Sequence, residues 1–171
     1  MLPRSVPTRR KTRKNTEDKE DNHMNHIQKA ITQIGQEEVP KGSNWGTNDK
    51  PAVINYLKSV GIGFPASWCM AFVYWCCKET FPGNPLYKTG GVLKQWNKVD
   101  PKYKHKTPLA GDIFIMDHGH GLGHTGFVES VEGLYINTIE GNTNDTGSRE
   151  GYTVCRRMRQ INSCKGFIRI I

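Results

Sequence analysis

The residue best placed for chemistry is Cys69, near the start of an apolar run over residues 67–77. The run predicts a helix that is apolar on every side and therefore buried, with Ser67 as its N-cap. At a helix start, free backbone N–H groups and the positive end of the dipole favour a thiolate, the reactive form of cysteine. Cys76 and Cys77 lie two turns further on, where this effect is absent. We expect Cys69 to be a nucleophile and the other two to be core residues.

A second group of reactive side chains lies on a predicted β-hairpin over residues 124–140. A three-residue turn with Gly133 in the left-handed conformation places His124 directly opposite Glu140. Asn142 then lies on the same face, because strand side chains alternate. A two-residue turn would move Glu140 to the other face. The predicted constellation therefore depends on the turn.

These side chains suit a thiol hydrolase if the sheet packs against the apolar helix. The thiolate of Cys69 attacks a carbonyl carbon, and His124 carries the thiol proton to the leaving amine. Glu140 fixes the imidazole tautomer and stabilises its charged form. The backbone N–H of Cys69 is a donor for the developing oxyanion. The sequence therefore predicts cleavage of a peptide or amide bond.

The elements that must position these residues indicate an α+β fold, with helices first and an antiparallel sheet after them. Apolar residues at i, i+3, i+4 and i+7 predict the early helices, and a period of two begins at Leu109. Besides the central run, helices are predicted over residues 27–34, 51–60 and 92–96. Besides the hairpin, strands are predicted over residues 113–116, 153–158 and 166–171, with a flexible glycine-rich loop over 117–123.

Five short motifs, taken in order, resemble the CHAP domain, a family of cysteine, histidine-dependent amidohydrolases and peptidases. The resemblance spans residues 24–171 and implies a papain-like fold in which N-terminal helices pack on an antiparallel β-sheet. It also implies cleavage of peptidoglycan peptide or amide bonds without a cofactor or metal. The motifs are residues 68–73, 111–113, 123–128, 139–142 and 166–170.

The same resemblance assigns roles to four residues of this chain. It implies Cys69 as the nucleophile, His124 as the base, Glu140 as the residue that orients the histidine, and Asn142 as an assisting residue. Two other functions stay open, namely a non-catalytic wall-binding module of the same fold and a zinc-dependent hydrolase. The zinc alternative would use His118, His120 and His124.

Substrate contacts are predicted for Trp68, Trp45 and Asn44, with core packing as the alternative for a tryptophan. Five unevenly spaced cysteines argue against a disulfide framework, although a bridge between Cys155 and Cys164 stays open. These cysteines indicate a reducing compartment.

Composition and charge suit a globular protein with long loops. The chain has 171 residues, 36% hydrophobic and 23% charged, with a net charge of +8. Residues 1–23 predict a disordered charged tail. The basic body favours a polyanionic partner. We expect peptidoglycan as substrate, no specific nucleic acid, no membrane span and a monomer.

The amino terminus is basic, but no apolar run follows it, so no signal peptide is predicted. We expect synthesis in the cytoplasm and action on the cell wall after release or export by another route. Phage-type lysins, which leave through a holin, illustrate such a route.

Overall fold

The computed structural model describes residues 24–143 and 151–171, and the tail predicted over residues 1–23 lies outside them. The α-helices in the described part are α1 His26–Thr32, α2 Ala52–Ser59, α3 Cys69–Thr80 and α4 Val92–Lys98. The strands there are β1 Lys104–His105, β2 Ile113–Gly119, β3 Leu122–Glu132, β4 Tyr135–Thr143, β5 Thr153–Gln160 and β6 Gly166–Ile168. They form one sheet in the order β1-β6-β2-β3-β4-β5, with every pair of neighbours antiparallel. The predicted α+β class is confirmed.

Helix α3 is the centre of the fold, as its apolar sequence predicts. It packs against α1 and α2 on one side and against β3 and β4 on the other. Burial of so many apolar side chains explains why a helix without a polar face is stable here. Its buried residues are Cys69, Met70, Ala71, Phe72, Val73, Cys76, Cys77 and Thr80.

The start of α3 differs from the prediction. The N-cap residue is Trp68, whereas Ser67 is exposed and makes no cap. The Trp68 N–H donates instead to Oδ1 of Asn142, at 2.8 Å, across 74 positions of sequence. The residue before the helix is therefore anchored to the sheet, and a local sequence pattern could not reveal this.

The turn between β3 and β4 also differs from the prediction. Glu132 pairs with Tyr135, so the turn has two residues and begins at Gly133, which has φ of +57°. The predicted three-residue turn, with His124 directly opposite Glu140, is therefore wrong. With a regular ladder, a two-residue turn would place these two side chains on opposite faces of the sheet.

A β-bulge restores the shared face. The register shifts by one residue between Val128 and Ser130, after which Phe127 pairs with Ile139. An added residue in one strand exchanges the two faces beyond it. His124 and Glu140 therefore lie on one face as diagonal rather than direct neighbours.

Two further expectations need correction. The predicted loop over residues 117–123 is the end of β2, a tight turn and the start of β3, with Asp117 paired to Gly123. All five cysteines are free thiols, so the bridge left open between Cys155 and Cys164 does not form.

Strand β1 was not predicted, because two residues carry no periodicity. Among the described helices, none combines the length and apolarity that a membrane span needs.

The close contact between α3 and β4 depends on a glycine. A Cβ atom added at Gly141 would lie 2.8 Å from Cζ3 of Trp68 and 2.9 Å from Cβ of Phe72. Both neighbours are fully buried and have no room to move away. Helix α3 can therefore pack this closely against β4 only because residue 141 has no side chain.

We predict that Gly141→Ala lowers the free energy of unfolding by about 1–3 kcal/mol, because it overpacks the core. Urea denaturation of the purified variant measures the change. Gly63→Ala is the matched control, since a Cβ there meets nothing within 4 Å. Equal stability of the two variants would contradict the account of this contact.

Candidate active site

The tip of α3 and the strands β3 and β4 bring three predicted residues together. Nε2 of His124 lies 2.7 Å from Oε1 of Glu140. Cys69 is close enough to the ring to contribute to the raised pKa of His124. Because Nε2 is bound to the carboxylate, Nδ1 is the nitrogen left to exchange a proton with the thiol. Cys69 is 7% exposed and the His124 side chain 13% exposed, so solvent reaches both.

The electrostatics of this group favour a charged imidazole. Burial lowers the pKa of His124, but the hydrogen bonds to Cys69 and Glu140 outweigh it and raise the pKa from 6.5 to about 9. Burial likewise raises the pKa of Glu140, but its partners Arg159 and His124 lower it to about 2. The carboxylate is therefore ionised, and the ring carries its proton, near neutral pH.

Glu140 has two further partners that the sequence interpretation missed. Arg159 on β5 donates from Nη2 to Oε1 at 2.6 Å and from Nε to Oε2 at 2.9 Å. Thr138 donates its hydroxyl to Oε2 at 2.6 Å. The alternation of β4 could have indicated Thr138, which is two residues before Glu140. Arg159 depends on the pairing of β4 with β5, which no sequence signal specifies.

Asn142 lies at the start of α3 rather than at the imidazole. Its Oδ1 accepts from the Trp68 N–H, and its Nδ2 donates to the carbonyl of Gly151 at 2.7 Å. Its φ of +56° lies in the left-handed region, which asparagine tolerates better than most residues. Asn142 thereby fixes the residue that immediately precedes Cys69.

The predicted substrate contact at Trp68 is wrong, because its side chain is fully buried. The ring stacks on Tyr56 with centroids 5.6 Å apart, and Nε1 donates to Oε1 of Glu38 at 2.9 Å. Glu38 is itself 2% exposed and accepts the Gly42 N–H with its other oxygen at 2.8 Å. Trp68 is therefore a core residue, which was the alternative to substrate contact.

Asn44 and Trp45 lie on the loop that follows Glu38, the residue that accepts a hydrogen bond from Trp68. Both are half-buried, and Trp45 packs against the main core. Asn44 has φ of +53°, an uncommon conformation for a residue other than glycine. Their role in substrate contact stays a prediction.

The histidines of the zinc alternative are not gathered into a ligand set. His118 and His120 are exposed near the turn between β2 and β3, whereas His124 is bound to Glu140. Within residues 24–143 and 151–171, no group of three or more His, Cys, Asp or Glu side chains could hold a metal ion. The described part of the chain therefore gives a zinc mechanism no support.

The other cysteines of α3 are unsuited to nucleophilic attack. Burial raises the pKa of Cys76 and of Cys77, and both side chains are fully buried. A buried thiol without a charged partner is inert. Only Cys69 among the three combines a helix start with an imidazole partner.

The α+β arrangement, with a thiol at a helix tip beside a sheet, is consistent with a papain-like hydrolase fold. The family model of the CHAP domain matches residues 60–142. This match, to a cysteine/histidine-dependent amidohydrolase/peptidase domain, confirms the resemblance seen in the motifs. This family implies peptidoglycan-related amidase or peptidase activity. Searches of curated proteins and of solved structures gave no match.

We predict that His124 titrates with a pKa of about 9 in the folded protein. Cys69→Ala should lower this pKa because it removes a hydrogen bond to the ring. Cys76→Ala, which removes a thiol without a bond to the ring, should leave it unchanged. A pH titration of the imidazole resonances by NMR measures all three values. A pKa near 6.5 in the wild type, or equal values in both variants, would contradict this geometry.

The raised pKa of His124 also determines how the stability of the fold changes with pH. The folded pKa of His124 lies above its ordinary value of 6.5, so the protonated ring stabilises the fold. This contribution is complete below about pH 6.5 and is lost as pH rises through about 9. Urea denaturation across this range should therefore show a loss of stability that is smaller in Cys69→Ala.

Proposed function

We propose that this domain is a cysteine hydrolase that cleaves peptide or amide bonds of peptidoglycan. Cys69 is the nucleophile, His124 is the general acid and base, and Glu140 orients the ring. The observation that carries the proposal is the proximity of Cys69 to the hydrogen-bonded pair His124–Glu140, within the segment that matches the CHAP domain. The buried carboxylate and the raised pKa of the imidazole support it, since perturbed groups cluster at functional sites.

The reaction proceeds in two steps. First, the sulfur of Cys69 bonds to the carbonyl carbon, the C–N bond breaks, and His124 gives its proton to the leaving amine. The product of this step is a thioester on Cys69. In the second step His124 takes a proton from water, whose oxygen attacks the thioester carbonyl. The carboxyl product leaves, and the thiol recovers its proton.

The surrounding residues act through these three. Arg159 and Thr138 hold the carboxylate of Glu140 in one orientation, which fixes the tautomer in which Nε2 of His124 carries a proton. Asn142 fixes the start of α3, whose first amides have no carbonyl partner within the helix. Those amides, including that of Cys69, suit a developing oxyanion.

We also propose that the functional domain extends over residues 24–171, beyond the matched segment. Strand β6 lies beyond the match and yet pairs with β2, in the middle of the sheet. Helix α1 packs against α3. Strand β5 supplies Arg159 to the site.

Because peptidoglycan is the proposed substrate, we further propose that the protein acts on the cell wall after its release or export.

We predict that Cys69→Ala and His124→Ala each reduce hydrolysis of purified peptidoglycan by ~10³-fold or more, because members of a catalytic set fail as a unit. Cys76→Ala is the matched control and should retain the chemistry. Mass spectrometry of the released fragments measures activity and identifies the bond that is cut, either the N-acetylmuramoyl–L-alanine amide or a peptide bond. Loss of activity in folded Cys76→Ala would count against the assignment of Cys69.

Two inhibitors separate this proposal from its alternatives. Iodoacetamide, which alkylates thiolates, should stop hydrolysis by the wild type, whereas EDTA should not. A zinc hydrolase would show the reverse pattern. A wall-binding module would release no fragments under any of these conditions, and that result would overturn the proposed activity.

A further inference from the structure

Five lysines lie close together in sequence on the side of the fold formed by α4, the 3-10 turn Pro101–Tyr103 and β1. Over residues 94–106 the only acidic residue is Asp100. No other stretch of thirteen described residues contains five lysines. We call this group the lysine surface, and it consists of Lys94, Lys98, Lys102, Lys104 and Lys106.

The charge of the lysine surface is available to a partner. Four of its side chains are exposed, and Lys104 is half-buried. None of the five forms an ion pair with a carboxylate in the described part of the chain. Asp100 accepts the backbone N–H of Lys102 at 3.0 Å, which fixes the turn. Uncompensated like charges repel one another, so an anionic partner is favoured here.

The aromatic rings on this surface already pair with ammonium groups. Lys94 and Lys98 lie over Tyr87, with Nζ 5.6 and 5.9 Å from the ring centroid. Lys104 lies 4.9 Å from the centroid of Trp96. Single-stranded nucleic acid is bound largely by stacking of bases on open aromatic faces. Rings that already pair with lysines are less available for stacking, which favours a partner that offers charge rather than bases.

The choice of residue points the same way. All five cations are lysines, which act as compact point charges, and none is an arginine with a planar fork for base edges. Specific readout of a guanine edge usually needs such bidentate geometry. The surface is thus suited to spaced phosphate groups without recognition of a base.

The lysine surface begins on α4, which packs against β3, the strand that carries His124. Val92, the first residue of α4, lies against Gly123, where an added Cβ would be 3.0 Å from Cγ1 of Val92. Gly123 immediately precedes His124 in this strand, on the opposite face of the sheet. A polymer bound along α4 would therefore lie against the strand that carries the imidazole and hold the domain at the cell wall.

We propose that the lysine surface binds an anionic, phosphate-bearing polymer of the cell wall and so retains the domain at its substrate. The proposal rests on the proposed function for the identity of the target. Double-stranded nucleic acid and an anionic lipid surface share the charge of this polymer. They are therefore separate outcomes of the test below.

The test compares two triple variants in a Cys69→Ala background, so that bound walls are not degraded. One is Lys94→Gln/Lys98→Gln/Lys102→Gln on the lysine surface. The other, Lys50→Gln/Lys58→Gln/Lys78→Gln, removes the same charge from exposed lysines elsewhere. Co-sedimentation measures binding to purified walls, to walls stripped of phosphate polymer, to duplex DNA and to anionic vesicles.

We expect the lysine-surface variant to bind intact walls at least ~10-fold more weakly than its parent, because each lysine near an anionic surface adds to affinity. The control variant should bind intact walls within about twofold of the parent. The parent should bind stripped walls weakly, with about the affinity that the lysine-surface variant has for intact walls. Added salt should weaken the parent's binding by screening.

Three results would overturn the proposal: equal binding by both triple variants, undiminished binding of the parent to stripped walls, or tighter binding of the parent to DNA or vesicles than to walls. With Cys69 restored, the lysine-surface variant should hydrolyse a soluble wall fragment at the wild-type rate. If the wild type releases no fragments while the binding pattern holds, the hydrolase proposal fails and the lysine surface stands.

Discussion

The relative position of the thiol and the imidazole is set by three consecutive residues of β4. Glu140 binds the ring of His124, while Asn142 binds the backbone N–H immediately before Cys69. Between them, Gly141 lets α3 approach the strand. One short segment of sheet therefore holds the two reactive groups, although they lie 55 positions apart in sequence. Strands are rigid supports, and precise placement of reacting groups is a large part of catalysis.

Glu140 is fully buried, and burial of a carboxylate is costly unless its charge is compensated. Arg159, Thr138 and His124 together supply four hydrogen bonds to its two oxygens. This compensation keeps the carboxylate ionised and leaves it one orientation. An ionised, fixed carboxylate in turn stabilises the charged imidazole, which is the state that partners a thiolate. The arginine thus supports the charge state of the imidazole that the proposed chemistry needs.

The sequence indicated the helices, the antiparallel sheet and the residues of the candidate site, because each left a local signal. The apolar run around Cys69 has no polar face, and the periods of the other segments are those of helices and strands. Strand pairing left no such signal. The turn was predicted with three residues instead of two, and the bulge between Val128 and Ser130 was not predicted. These two errors cancelled, so the prediction still placed His124 and Glu140 on one face of the sheet.

Long-range partners were missed for the same reason. Arg159 meets Glu140 only through the register of β4 with β5, and the start of α3 is anchored by Asn142 rather than capped by Ser67. Trp68 follows the general tendency of tryptophan to pack in a core, since Glu38 satisfies its indole N–H within the protein. Such contacts depend on how distant segments meet, and a single sequence does not specify that.

The most direct test of the central claim is detection of the covalent intermediate. The wild type is mixed with a soluble peptidoglycan fragment, quenched in acid within milliseconds, digested and mapped by mass spectrometry. The account predicts an acyl group on the peptide that contains Cys69, as a thioester that disappears as product accumulates. Continued hydrolysis with Cys69 unmodified, or an acyl group on Cys155 or Cys164 instead, would contradict it.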